Sequence, residues 1–250
     1  MGKKESFKKL KIIPLKNGDF PLLKDSQMVF EYANESVSSF YKIYQIIRSG
    51  SGAGSTTHNE QDLLRAMLVF ACSGLDAVAK QLISDCLQGV IELDKQGNGA
   101  KQEFKKFIER RIKKSSTEID IKNSSIDTGF IAQILISDQP KIELIKSLQK
   151  HLSDNSLQSQ DQLLKVAGYF AITKNQILKD PEMTENAFKV RNDIIHQMDV
   201  NLKEKIQGRK NRKVRGAIDM IKYTINILNI GSNFINSVAE KIYVVSSRLL

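Results

Sequence analysis

Along this chain apolar residues recur at three- and four-residue intervals, the period of a helix that buries one face. The first stretch runs from about Met28 to Ile47, with Phe30, Ala33, Val37, Phe40, Tyr41, Tyr44 and Ile47 on one stripe. The Gly/Ser run at 49–56 has nothing to pack and predicts a flexible connection. Thr57 and Glu60 then stand at capping-box spacing, which starts a helix over about 60–91. Leu64, Met67, Leu68, Leu75, Leu82 and Val90 are among its apolar positions, which fill more than half its circumference and predict the central member of a bundle. Its remaining face carries Asp62, Arg65, Ser73, Asp76, Lys80 and Ser84.

The pattern continues in the same mode. Residues 101–114 form a basic helix with Phe104, Phe107, Ile108 and Ile112 as its buried stripe, and 115–125 read as a loop. Short helices are expected at about 127–137, 140–152 and 159–178, Pro140 suiting a first turn. Asp180-Pro181 supplies an N-cap and a first-turn proline for a helix to about 202. The basic stretch from Lys203 to Arg215 reads as a loop, and 214–249 as the last helix. In that helix Asn226, Asn229, Asn233 and Asn236 form a neutral stripe. The common fate of such a stripe is to face solvent, and an amide-lined groove or dimer seam is the alternative. The expected fold is therefore all-α, an antiparallel helical bundle, with 1–27 as a basic N-terminal arm and 28–250 as one domain.

Charge sharpens this picture. The 250 residues carry a formal charge of +10, which favours a polyanionic partner. The lysines of the arm would follow a phosphate backbone or simply be solvated. Cys72 and Cys86 lie roughly 21 Å apart along one predicted helix, too far to bridge, which suits a reducing, cytoplasmic setting. No apolar h-region follows the N-terminal lysines. The uncharged stretch from Tyr223 to Ala239 is too short and too rich in Asn and Ser to span a membrane, so no membrane partner is expected. There is no Gly-rich phosphate loop, CxxC or H-E-x-x-H. The 3 histidines, His58, His151 and His196, are scattered, which leaves no expected metal or cofactor site. His151, at a helix C-terminus beside Lys150, reads as structural.

One hexapeptide carries candidate chemistry: Arg191-Asn192-Asp193-Ile194-Ile195-His196. On a helix Asn192 and His196 share a face, whereas Arg191 falls on the stripe with Ala187, Ile194, Ile195 and Met198. A buried guanidinium needs a partner, so Arg191 must reach the edge of the core or meet an acid. The plain account is an arginine bridging to Asp76 or Asp193, with His196 an ordinary surface histidine. Asp76 itself has two readings: an i,i+4 pair with Lys80, or an acid that orients a catalytic Arg or His.

An arginine, a polar residue directly after it and a histidine five positions on resemble the R-x4-6-H signature of the HEPN superfamily, the helical domains of many prokaryotic ribonucleases. The segment ACSGLDAVAKQLISD at 71–85 resembles the early core helix of RiboL-PSP-type HEPN proteins. The resemblance implies a HEPN-like bundle and a metal-independent endoribonuclease, a toxin or defence effector, working without a cofactor. Arg191 would then stabilise the scissile phosphate. His196 would act as general base or acid on the ribose 2′-hydroxyl and the leaving 5′-oxygen, and Asn192 would orient the pair, with Asp76 and Asp193 as supporting residues. HEPN ribonucleases commonly dimerise so that two copies of the motif line one cleft, so a homodimer is expected. RNA is the expected partner, with an antitoxin or other defence-system subunit beside it. Its backbone would meet Lys105, Lys106, Arg110 and Arg111 on the basic helix, and Lys210, Arg212, Lys213 and Arg215. Members AMPylated by a partner nucleotidyltransferase carry Tyr two residues after the His, where this chain has Met198. The alternative is a non-catalytic HEPN-like RNA-binding or protein-interaction subunit, which charge does not distinguish from the nuclease.

Overall fold

A computed structural model describes residues 8–16, 18, 20–51, 54–113, 127–206 and 209–244, with backbone alone for 51, 201–211 and 244. Helix dominates: α1 (Lys24–Ser51), α2 (His58–Asp85), α3 (Leu87–Leu93), α4 (Ala100–Ile112), α5 (Thr128–Leu135), α6 (Pro140–Ser153), α7 (Gln160–Tyr169), α8 (Lys174–Ile177), α9 (Pro181–Gln197) and α10 (Ala217–Ala239). Between α9 and α10 two short strands, β1 (Val200–Ile206) and β2 (Arg209–Arg212), pair antiparallel. The basic stretch read as a loop from its charge is thus a hairpin up to Arg212. Val200, Leu202 and Ile206 stand at the even spacing of a strand, broken by Glu204, a weak signal that the run of charge outweighed.

α2 is the centre of the molecule. Leu64, Met67, Leu68, Val78 and Leu82 are fully buried, and α1, α10, α9 and α6 pack around it. Its start is the expected capping box, Thr57 and Glu60 each holding the other's backbone N–H. Two small residues let neighbours close in: a Cβ at Gly74 would collide with that of Ala33 on α1, and one at Gly231 of α10 would come within 3.3 Å of the Phe30 ring. The predicted 60–91 helix breaks at Cys86, whose N–H still bonds to Leu82 O while its thiol turns to Leu22 O. The predicted 159–178 helix breaks between α7 and α8, where Ala171 takes a φ of 53°.

Three further expectations are corrected. The 49–56 connection is shorter than its composition suggests, because α1 continues to Ser51. Arg48 donates to Gly54 O at 2.6 Å and approaches buried Glu60 at 3.7 Å, tying the turn to α2. The arm is packed on the bundle: Lys8 bonds to Gln45 of α1, and residues 13–16 lie against α10, where the asparagine stripe receives them. The Ile13 N–H donates to Asn229 Oδ1 and the Lys16 N–H to Asn236 Oδ1, both at 2.8 Å. Asn226 and Asn233 reach Thr184 Oγ1 and Ile177 O instead. The stripe is an intramolecular amide seam and not a solvent face. Residues 115–125 and 245–249 lie outside the described residues, as does the side chain of Lys210.

Candidate active site

Helix α9 forms where the sequence places it. The Asp180 carboxylate accepts the Met183 N–H at 2.9 Å, and Pro181 occupies the first turn. Ala187, Phe188, Val190 and Ile194 are its buried face. The helix stops at Gln197, five residues before the expected end, without a glycine. Met198 and Asp199 adopt left-handed conformations, φ 51° and 58°, and the Asp199 N–H bonds back to Asp193 O at 3.1 Å. This is a left-handed C-cap of the kind usually given to Gly or Asn, and it turns Asp199 inward.

The motif residues fall at the boundary of core and surface. Arg191 is half-buried and close enough to Cys72 of α2 to act on it electrostatically. Its Nη1 donates to Asn192 Oδ1 at 2.9 Å, whereas its Nε is buried with no partner. No described carboxylate pairs with it, so neither acid of the plain account reaches it. Asn192 is held from the other side, its Nδ2 donating to Gln158 O at 3.1 Å. His196, one turn further on, is exposed and makes no hydrogen bond to a described residue. Ile195 and Met198, beside it in sequence, are exposed apolar side chains, as are Val214 and Ile218 at the approach to and start of α10, the last two being 76% and 70% accessible.

Asp76 forms the i,i+4 pair with Lys80 at 2.9 Å, and its other oxygen accepts the Leu157 N–H at 2.7 Å. It touches neither Arg191 nor His196. Through Leu157 it fixes the segment whose next carbonyl, that of Gln158, anchors Asn192. Gln158 and this two-step connection left no mark in the sequence, because both links run through backbone atoms.

Asp193 turns away from the motif into an ionic cluster. Its carboxylate meets Lys213 Nζ at 2.7 Å and Arg215 Nη2 at 3.0 Å. The hydrogen bond from Lys213 leads that from Arg215 in holding its pKa below the ordinary carboxylate value against partial burial. At the centre is Asp199, fully buried, gripped by Arg65 Nε at 2.9 Å and Arg215 Nη2 at 2.6 Å. Burial disfavours the charge on Arg215, yet Asp199 and then Asp193 raise its pKa above the usual value. Arg212 pairs with Asp62 at 2.6 Å. Buried Gln61 clamps the backbone N–H and C=O of Arg215 at 2.9 and 2.8 Å. Arg212, Lys213 and Arg215, expected along an RNA backbone, thus have carboxylates of their own chain as first partners. Arg65 and Asp199, the buried pair that organises them, were missed: Arg65 sits on what reads as the polar face of its helix, and Asp199 follows a helix end with no glycine signal.

No family model matches this chain, and neither a curated protein nor a solved structure is detectably similar to it. The fold and its side chains are therefore the ground for a functional reading. On α4, Lys105 lies 3.9 Å from Glu109 and Lys106 2.8 Å from Glu103, Arg110 donates to the Tyr169 hydroxyl at 3.0 Å, and Arg111 lies 5.0 Å over the Phe130 ring. Among the described residues no three His, Cys, Asp or Glu side chains are grouped as metal ligands.

Proposed function

We propose that this chain is a HEPN-like endoribonuclease, with Arg191, Asn192 and His196 as its working residues. The observation that carries the reading is the state of Arg191. A half-buried guanidinium with an unpartnered buried Nε and no carboxylate neighbour is costly in a finished fold. A phosphate at the α9 surface would give this guanidinium an anionic partner, and the planar fork suits that ligand. Asn192, pinned by Gln158, holds the fork in register. His196 stands exposed at the same face, available to take the 2′-hydroxyl proton or to protonate the leaving 5′-oxygen. Cleavage by this route leaves a 2′,3′-cyclic phosphate.

No described residue hydrogen-bonds the His196 ring, and the apolar side chains of Ile195 and Met198 next to it in sequence are exposed. Both features fit a site completed by a second copy of the chain, in which acid and base come from different protomers. A toxin or defence role, with an antitoxin or other subunit as regulator, follows from the resemblance of the motif.

The test is cleavage of RNA by the purified protein in excess EDTA, beside an otherwise identical substrate carrying 2′-deoxy at the scissile nucleotide. The expected outcome is cut RNA with cyclic-phosphate ends and an intact deoxy substrate. General acid–base assistance is worth roughly 10²–10⁴-fold, so His196→Ala should lose at least that much turnover while RNA affinity stays nearly unchanged. Arg191→Ala should lower turnover and, modestly, binding. Full activity in His196→Ala would remove the assignment. Binding without cleavage by the wild-type protein would make it a non-catalytic RNA-binding subunit.

A further inference from the structure

Helices α4 and α6 hold a second cluster that the motif does not use. A cavity of about 240 Å³ opens between α4 and α6, lined by Arg111, Ser147, Lys150, His151 and Asp154. We infer that this cavity is a phosphate-group site, with Arg111 and Lys150 as the cationic jaws and Ser147 and His151 as the hydrogen-bond donors. Neither Arg111 nor Lys150 forms an ion pair with a described carboxylate. Arg111 is held in place by its stacking over Phe130, which fixes the guanidinium without consuming its N–H donors.

His151 is the unusual member. Its ring packs on Phe107 of α4, centroids 5.6 Å apart. Charged groups face it from three helices: Arg110 and Arg111 on α4, Lys150 and Asp154 on α6, Lys165 on α7. Desolvation first, then Lys165, Arg110 and Arg111, lower its pKa, and Asp154 alone opposes them. Four cations against one carboxylate leave an unfilled anion demand that an uncharged imidazole does not meet. An entering phosphate neutralises the surplus and favours the protonated ring, which then donates a third charge-assisted bond. Anion binding and proton uptake are therefore linked: the site binds more tightly as pH falls toward the depressed value of the free His151 ring. The inference stands whether or not the chain cuts RNA, because it concerns a phosphate group alone. If RNA is the substrate, the same cavity is where a strand phosphate or a 5′-phosphate end is held away from the cleavage motif.

The ring-proton NMR signals of the 3 histidines can be titrated separately, assigned by substitution of each. Inorganic phosphate, compared with chloride at equal ionic strength, should raise the His151 midpoint by about one pH unit. That corresponds to about tenfold tighter binding to the protonated form. His58, exposed at the start of α2, should not move. In Arg111→Ala, a surface change whose folding is checked by circular dichroism, the phosphate-induced shift should vanish. A short deoxyoligonucleotide with a 5′-phosphate, compared with the same strand lacking it, separates a terminal-phosphate site from a phosphodiester site. An unmoved His151, an equal shift with chloride, a shift shared by His58, or one that survives in Arg111→Ala would overturn the proposal. None of these outcomes touches the His196 assay, so the two readings fail separately.

Discussion

Asp199 is one carboxylate between two guanidiniums, Arg65 and Arg215, and it has no contact with water. Removing its charge would leave Arg65 and Arg215 with only their outer partners, Asp62 and Asp193, and breaking a buried pair costs about 3–5 kcal/mol. Asp199→Asn should therefore lower the urea midpoint sharply, whereas Asp62→Asn, whose side chain is 52% exposed, should cost about 0–1 kcal/mol. Equal effects would mean the cluster is solvated. Asp193 adds a pH dependence of known sign. Its folded pKa lies below the unfolded one, so its contribution is present above about pH 4 and is lost as pH falls through the depressed value. Denaturation followed by circular dichroism across pH 2–6 (roughly the carboxylate range) should show that loss, reduced in Asp193→Asn. These acids matter for function as well as stability, because Asp193 lies two residues after Arg191 and its carbonyl caps α9 through Asp199.

At the scale of elements, the amide seam is the feature that periodicity described and misassigned. Asparagines at three, four, three spacing on α10 were legible as a stripe. What faces them was not, because an extended arm lacks a periodic signal of its own. Two of the four bind that arm, at Ile13 and Lys16. The double change Asn229→Ala with Asn236→Ala should therefore speed hydrogen exchange at the Ile13 and Lys16 amides by about fivefold, with each hydrogen bond worth about 1 kcal/mol. Exchange in α2, protected by the core, should stay the same. Unchanged arm amides would mean that apolar packing by Leu10, Ile12 and Leu15 holds the arm without the seam. Helix boundaries tell the same story: α9 stops early because a buried ion pair pulls Asp199 inward, an interaction with α2 that local propensity does not contain.

For the whole molecule, the proposed function carries self-association as its expected consequence, with the exposed apolar residues Ile195, Met198, Val214 and Ile218 as candidates for the contact. Light scattering at tens of micromolar, about the range of weak dimers, should show a dimer, and Val214→Asp with Ile218→Asp should return it to monomer. A wild-type monomer at that concentration would leave each site with one His196 and count against a shared cleft. The charge of +10 acts at this scale too, though part of it is already committed inside the protein at Arg65, Lys213 and Arg215.

The sequence by itself determined the helical class, the central place of α2, the starts of α2, α4, α5, α6, α7 and α9 to within about two residues, and the hexapeptide on α9. Those follow from local rules: apolar period, capping residues and proline placement act within a turn or two of chain. Tertiary structure alone decided that Arg191 meets no acid among the described residues, that Asp76 holds the loop beneath Asn192, and that Arg212, Lys213 and Arg215 are tied to carboxylates of their own chain. It also brought Lys150 and His151 of α6 against Arg111 of α4. Each of these is a meeting of charges distant in sequence, and the partner a charge finds depends on which surfaces the packed helices bring together.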